Sequence, residues 1–284
     1  MELDFEKLVL KHCEIPPMPQ VAAKVVQMLS QEDVTAGELS DIISKDSALA
    51  TRVLNMANSA FYRRLEEIRE LRSAIVILGL RTIRSLVLGA SLKQLFKSSS
   101  LFDTMLWQHS IAAAIAAALF AKETNSYQSD EVMLAGLLHD VGKNILNNSL
   151  PRRYQTVIER CYQEGRSYHE VELEVFGFAH HQVGPILVKF WNFPMDLGKA
   201  IYYHHAMEEI GAMEENPKHL VALVHLADLF CRRLGLGYRD PNPAIPILGT
   251  PSLAILGLDL NEEGIAAYDV KIAQAFQEEK GRFD

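Results

Sequence analysis

Cysteine is scarce and unpaired in this sequence: Cys13, Cys161 and Cys231 are far apart and form no CxxC pair. That excludes a disulfide framework and a thiolate zinc site, and the three read as reduced thiols. Period-2 alternation of apolar and polar residues is missing too, which excludes half-buried strands and predicts an all-α chain. Unbroken apolar runs are short. The longest, Ile111 to Ala121, falls below a bilayer span, and Met1-Glu-Leu-Asp-Phe-Glu6 lacks a basic signal-peptide start, so a cytoplasmic protein without a membrane partner is expected. Positive charge is in deficit, 28 Lys+Arg against 36 Asp+Glu for a net charge of −8, which argues against a nucleic-acid partner.

Histidine is nearly absent from the first 100 residues, since nine of the ten lie beyond them. Charge follows the same divide: residues 1–100 carry 13 Lys+Arg against 12 Asp+Glu, leaving 15 against 24 for residues 101–284. Two lobes with different tasks are expected, the second holding the imidazole chemistry. The 49% hydrophobic and 23% charged content over 284 residues is that of a globular chain able to bury one large core or two modest ones. The expected division is an N-terminal helical lobe over 1–100, a second helical bundle over 101–236, and an extension over 237–284 that packs on the second lobe.

Along the first lobe, Ile15-Pro-Pro-Met-Pro19 is a rigid extended approach to a helix with Val21, Val25, Met28 and Leu29 at helical spacing. Thr35 with Glu38 forms a capping box for a helix through Leu39, Ile42 and Ile43, and Asp46 caps the next to about Ala57. Ser73 starts another, which Gly79 ends or bends, and a longer helix runs from Leu80 to Phe96. Lys97-Ser-Ser-Ser100 is the expected boundary. In the second lobe Asp103 is the expected N-cap of a helix apolar all round from Ile111 to Phe120, hence buried, and His109 enters on it. Pro151 opens a helix that Gly165 closes, and Ser167 with Glu170 forms a second capping box. A turn through Phe176-Gly-Phe-Ala-His-His-Gln-Val-Gly184 leads into Pro185 to Trp191. Further helices carry Tyr202-Tyr-His-His205 and, from Asn216-Pro217, Asp228; the last starts at Asn261.

The stretch Leu134-Ala-Gly-Leu-Leu-His-Asp-Val-Gly-Lys143 puts His139 and Asp140 among Met133, Leu134, Leu137, Leu138 and Val141 at helical spacing. A buried carboxylate needs a metal ion or a positive partner, and Lys143, three residues on, can be that partner or contact an anionic ligand. One such pair is commonly an ordinary salt-bridged pair. Together, however, His109, His139, Asp140, His180, His181, His204, His205 and Asp228 come from separate helical elements, and so many buried imidazoles with two carboxylates are hard to satisfy without a cation. Imidazole plus carboxylate suits iron or manganese first, with nickel or zinc as alternatives, and Asp140 can bridge two ions.

The order His, His-Asp, His, His-His, Asp is similar to that of the HD superfamily of metal-dependent phosphohydrolases. Ile15-Pro-Pro-Met-Pro-Gln20, Asp46-Ser-Ala-Leu-Ala-Thr-Arg-Val-Leu-Asn-Met-Ala-Asn-Ser-Ala60, Ala74-Ile-Val-Ile-Leu-Gly79 and Gly177 to Gly184 resemble the motifs of the HDOD family, the HD-related output domain of bacterial signalling proteins, over roughly residues 10–235. The resemblance implies an HD-like bundle for the second lobe. It implies a first metal site at His109, His139, Asp140 and Asp228, and second-metal imidazoles at His180, His204 and His205, as in HD-GYP cyclic-di-GMP phosphodiesterases; His181 is the lesser of its pair. The chain departs from HD-GYP proteins in lacking Gly-Tyr-Pro after His205 and in carrying Met105, not a carboxylate, one turn before His109. Two readings stay open. The first is a signalling output protein with one or two transition-metal ions and a partner protein on its N-terminal lobe. The second is an active phosphohydrolase of a nucleotide or cyclic dinucleotide, with Asp140 and Lys143 as its catalytic residues. Trp191, Phe193 and Tyr203 are expected to crowd the site, and Glu208-Glu209 and Glu214-Glu215 to repel a polyanion. A helix-turn-helix regulator ranks third, since seven Arg against three Glu over 52–84 also fit a solvated helix face.

Overall fold

A computed structural model describes every residue except 1, 30–32, 61, 63–66, 97–99, 126–128, 239 and 284, so the expected linker lies, apart from Ser100, outside the described residues. Among the described residues there is no strand. The helices are α1 (Glu2–His12), α2 (Gln20–Met28), α3 (Ala36–Ile43), α4 (Ser47–Ala57), α5 (Leu71–Leu92), α6 (Leu101–Thr124), α7 (Ser129–Leu138) and α8 (Val141–Ser149). They continue with α9 (Pro151–Glu164), α10 (Tyr168–Phe176), α11 (His180–Phe190), α12 (Met195–Tyr203), α13 (Glu215–Leu234), α14 (Pro251–Leu256) and α15 (Glu262–Glu279).

Local chemistry accounts for most of these ends. Thr35 and Ser167 make complete capping boxes with Glu38 and Glu170, and Asp46 and Asn261 accept from the Leu49 and Gly264 amides; each such cap is worth about 1 kcal/mol. Gly79 stands at φ 82°, ψ 164° inside α5, a region only glycine enters freely, and the helix kinks there. One start differs from expectation. Ser100, not Asp103, caps α6: its hydroxyl accepts from the Asp103 amide at 3.0 Å and donates to the Asp103 carboxylate at 2.7 Å, so the helix begins at Leu101.

Helix α6 is the central rod, buried from Ser110 through Ala118, with α7, α13 and α15 laid against it. The stretches Leu71–Leu95 and Leu101–Thr124 are long and apolar enough to cross a membrane by length and composition alone; their apolar windows are 56% and 78% buried in protein. One large apolar core runs from Val9 to Phe283, and Val157, Cys161 and Val171 form a small second cluster. Helix α5 packs on α7, where Gly89 lies beside Leu137 and Met56. The extended Ile15–Pro19 segment straps the start of the chain onto its second half: Trp191 Nε1 donates to Pro16 O at 2.9 Å, the Glu14 amide to Ser149 Oγ at 3.0 Å, and Phe5 meets Phe178 edge-on.

Candidate metal centre

His139 and Asp140 do not lie inside one continuous helix, as the apolar spacing suggested. They occupy the break between α7 and α8, and Asp140, although at the N-cap position, makes no capping bond with its side chain. Its carboxylate is turned inward and is 1% exposed. Gly142 is what lets this break approach the start of α11, because a Cβ there would overlap the His180 carbonyl. Helix α11 begins at His180 itself and carries Pro185 within it, where a turn was expected before Pro185. His204 caps the end of α12 and His205 lies one residue beyond, so neither is inside that helix. His109 projects from α6 and Asp228 from α13.

These elements bring all seven expected metal ligands together in two groups: Asp140, His180, His204 and His205, and His109, His139 and Asp228. Within each group one ligand atom per residue lies within 4.8 Å of the others. His181 falls outside both; its Nδ1 faces His169 Nδ1 at 3.2 Å.

The hydrogen bonds around the rings decide what they offer inward. His109 Nδ1–H donates to Leu236 O at 3.0 Å, His139 Nδ1–H to Gly136 O at 2.7 Å and His204 Nδ1–H to Ile201 O at 2.7 Å. A carbonyl only accepts, so the Nδ1 proton is fixed and each neutral ring presents an Nε2 lone pair to the interior. His180 is fixed in the same way by Glu172 Oε2 at 2.6 Å. Like then faces like: His109 Nε2 lies 3.2 Å from His139 Nε2 and 3.1 Å from Asp228 Oδ1, and His205 Nε2 lies 3.1 Å from His180 Nε2. Asp140 Oδ1 has His180 Nε2 at 3.1 Å, yet that nitrogen offers a lone pair, and Oδ1 and His204 Nε2 are buried without a hydrogen-bond partner. Such an array is repulsive until protons or a cation enter it.

The electrostatics agree. Burial works against charging His139 and His180, but Asp140 beside the first and Glu172 beside the second outweigh it and raise both. Burial and the neighbouring imidazoles hold His204 and His205 well below the usual range. Burial opposes ionising Asp140 and Asp228, yet Lys143 for the first and Arg232 for the second keep both carboxyls well below the usual carboxylate range. Burial, with His180 and His169, pushes His181 down to about 3. Lys143 Nζ is 2.5 Å from Asp140 Oδ2 and 5.0 Å from the Tyr168 ring centroid.

A cavity of about 280 Å³ opens beside the cluster, lined in part by Lys143, Tyr168, His169, His205, Arg232 and Tyr238. Trp191, Phe193 and Tyr203 do not line it, contrary to expectation: Trp191 stacks edge-on with Phe193 and turns its N–H to Pro16. The acidic pairs at 208–209 and 214–215 are likewise absent from its wall. Sequence reasoning missed Glu172, Tyr154, His169, Arg232 and Tyr238. Only Glu172 carried a legible signal: with Tyr168, Val171 and Val175 it falls on one stripe at i, i+3, i+4, i+7 spacing, so a carboxylate stands in an apolar row.

The fold resembles that of an HDOD domain protein of unknown function from Geobacter sulfurreducens, with TM-score 0.80 and 27% identity over 99% of this chain and 98% of that one. A provisionally named phosphohydrolase of Shewanella amazonensis shares the fold at TM-score 0.72 and 22% identity, covering 100% and 98% of the two chains. An uncharacterized protein of Treponema pallidum is 24% identical over 226 residues, 78% of this chain, which spans only 43% of that relative's length. The HDOD domain family model matches residues 15–207, short of Asp228 and narrower than the expected resemblance. With that match covering more than half its length, the chain belongs to the HDOD domain family.

Proposed function

We propose that this chain is a signalling output protein whose second lobe binds one or two transition-metal ions, and whose N-terminal lobe meets a partner protein. The observation that carries the metal is the convergence of fixed Nε2 lone pairs on Asp140, with Asp140 Oδ1 and His204 Nε2 buried and unpartnered. His109, His139 and Asp228 would hold one ion and His180, His204 and His205 the other, with Asp140 shared. Imidazole and carboxylate donors favour iron or manganese, with nickel or zinc as alternatives. Elemental analysis of anaerobically purified protein tests this. Asp140→Ala is expected to lose the metal and to lower the melting temperature together, because binding confined to the folded state is stability. If both stay unchanged, the histidines are ordinary core residues.

A second reading, a phosphohydrolase of a nucleotide or cyclic dinucleotide, is supported by the cavity beside the cluster. A bound metal supplies Lewis acidity and an activated water. Lys143, on the cavity wall, is positioned to meet phosphate charge, and His205 joins the wall to the ligand group. At about 280 Å³ the cavity is at the small end for ligand sites, which disfavours a cyclic dinucleotide. Weak or no turnover of cyclic-di-GMP is therefore expected from iron- or manganese-loaded protein. Robust hydrolysis that Lys143→Ala abolishes would put the enzyme reading first.

A further inference from the structure

We propose that the two halves of the centre fill in order, the half built from Asp140, His180, His204 and His205 first, and that Glu172, held by Tyr154, is the positioning residue that sets this order. The inference rests on the metal-binding reading above. Glu172 is fully buried. Its Oε1 accepts from the Tyr154 hydroxyl at 2.6 Å, and its Oε2 accepts from the His180 backbone amide at 2.8 Å and from His180 Nδ1–H at 2.6 Å. Both oxygens are committed, so the carboxylate cannot swing away, and its charge stands directly behind one ligand ring. An anion hydrogen-bonded to the outer nitrogen orients an imidazole and makes its inner nitrogen a stronger donor to a metal.

The other half has no such support. His109 and His139 are backed by the neutral carbonyls of Leu236 and Gly136. Its carboxylate, Asp228, has Arg232 at 3.5 Å. Asp140 divides between the halves in the same sense. Oδ2, which faces His109 at 3.5 Å and His139 at 3.4 Å, is held by Lys143 at 2.5 Å. Oδ1, which faces His180 at 3.1 Å and His204 at 3.8 Å, receives no hydrogen bond. An arriving divalent cation thus meets a free carboxylate oxygen and an anion-backed ring in one half, and two carboxylates each already facing a cation in the other. At these distances, out of water, that difference in charge outweighs the similarity of the ligand types.

The test is a Co(II) titration of chelator-treated protein, followed by ligand-field absorption and by competition with a chromophoric chelator. Wild type should bind in two steps. Glu172→Gln, close in shape but uncharged, should weaken the first step about 10- to 100-fold and leave the second in place, and Tyr154→Phe should move the first step in the same direction by less. Lys143→Met should strengthen the second step, a gain that no loss of folding produces; circular dichroism of the metal-free variants checks the fold. The assignment is overturned if Glu172→Gln leaves the first step unchanged or weakens both steps equally. Wild type that takes up no Co(II) overturns the metal reading itself, and the order of filling with it.

Discussion

A buried imidazole whose Nδ1–H is spent on a carbonyl has one thing left to offer, and at this site several such rings offer it to the same point. Without a cation, protons must relieve the crowding, which is why His139 and His180 are raised above 6.5, burial being outweighed by Asp140 and by Glu172. A bound metal ion would replace those protons. Metal uptake should therefore release protons, read by calorimetry in buffers of different ionisation enthalpy, and affinity should fall as pH is lowered. The sign for metal-free stability is opposite. A histidine raised in the fold contributes stability that is fully present below the unfolded value near 6.5 and is lost as pH rises through the folded one. His204, His205 and His181, held down in the fold, act in the opposite sense below 6.5, so metal-free melting follows the balance of the two groups; a metal uptake that releases no protons would mean that His139 and His180 are already neutral in the metal-free fold. At this scale the candidate ligands were legible because polar side chains inside apolar rows are conspicuous. Glu172 was less so, since a glutamate two residues after a capping-box glutamate reads as solvated surface.

Elements position these residues through close backbone approaches. Gly142 brings the α7–α8 break against the start of α11, and a methyl group there would meet the His180 carbonyl, which cannot step aside without moving that candidate ligand. Gly142→Ala should destabilise by about 1–3 kcal/mol, as overpacking does, and should also lower metal affinity, because His180 leaves its register with Asp140. Urea unfolding with and without metal separates the two effects; an unchanged affinity would place His180 outside the centre. Most helix ends could be read directly, since Thr35, Asp46, Ser167 and Asn261 cap by local bonds and Gly79 bends α5 through a conformation few other residues adopt. The break at His139 and Asp140 could not. No proline precedes it, the apolar spacing continues across it, and what interrupts the helix is convergence of side chains from α6, α11 and α13, which is tertiary. The start of α6 was misplaced because Ser100 and Asp103 bond to each other and either could be the cap by type.

The whole molecule is tied together more tightly than its uneven charge suggests. Histidine and excess acid lie after position 100, yet the helices on either side of that position share one apolar core. Gly89 lies between Met56 and Leu137, and Leu137 is only two residues before the candidate ligand His139. At the far end of the chain Ile272, Phe276 and Phe283 are buried in the same core, with α15 laid along α6. The strap through Pro16 closes the circuit by bonding Trp191, one residue past the helix that begins with His180. A disturbance on either side of residue 100 therefore has no internal surface at which to stop. Calorimetry should show one cooperative transition for the metal-free chain, with calorimetric and van't Hoff enthalpies in agreement. Added metal should move that whole transition upward, because what binds the folded state stabilises everything that unfolds with it. Two resolved transitions, only the later one moving with metal, would mean that the segment before residue 100 unfolds on its own and that the shared core is not what couples it to the centre.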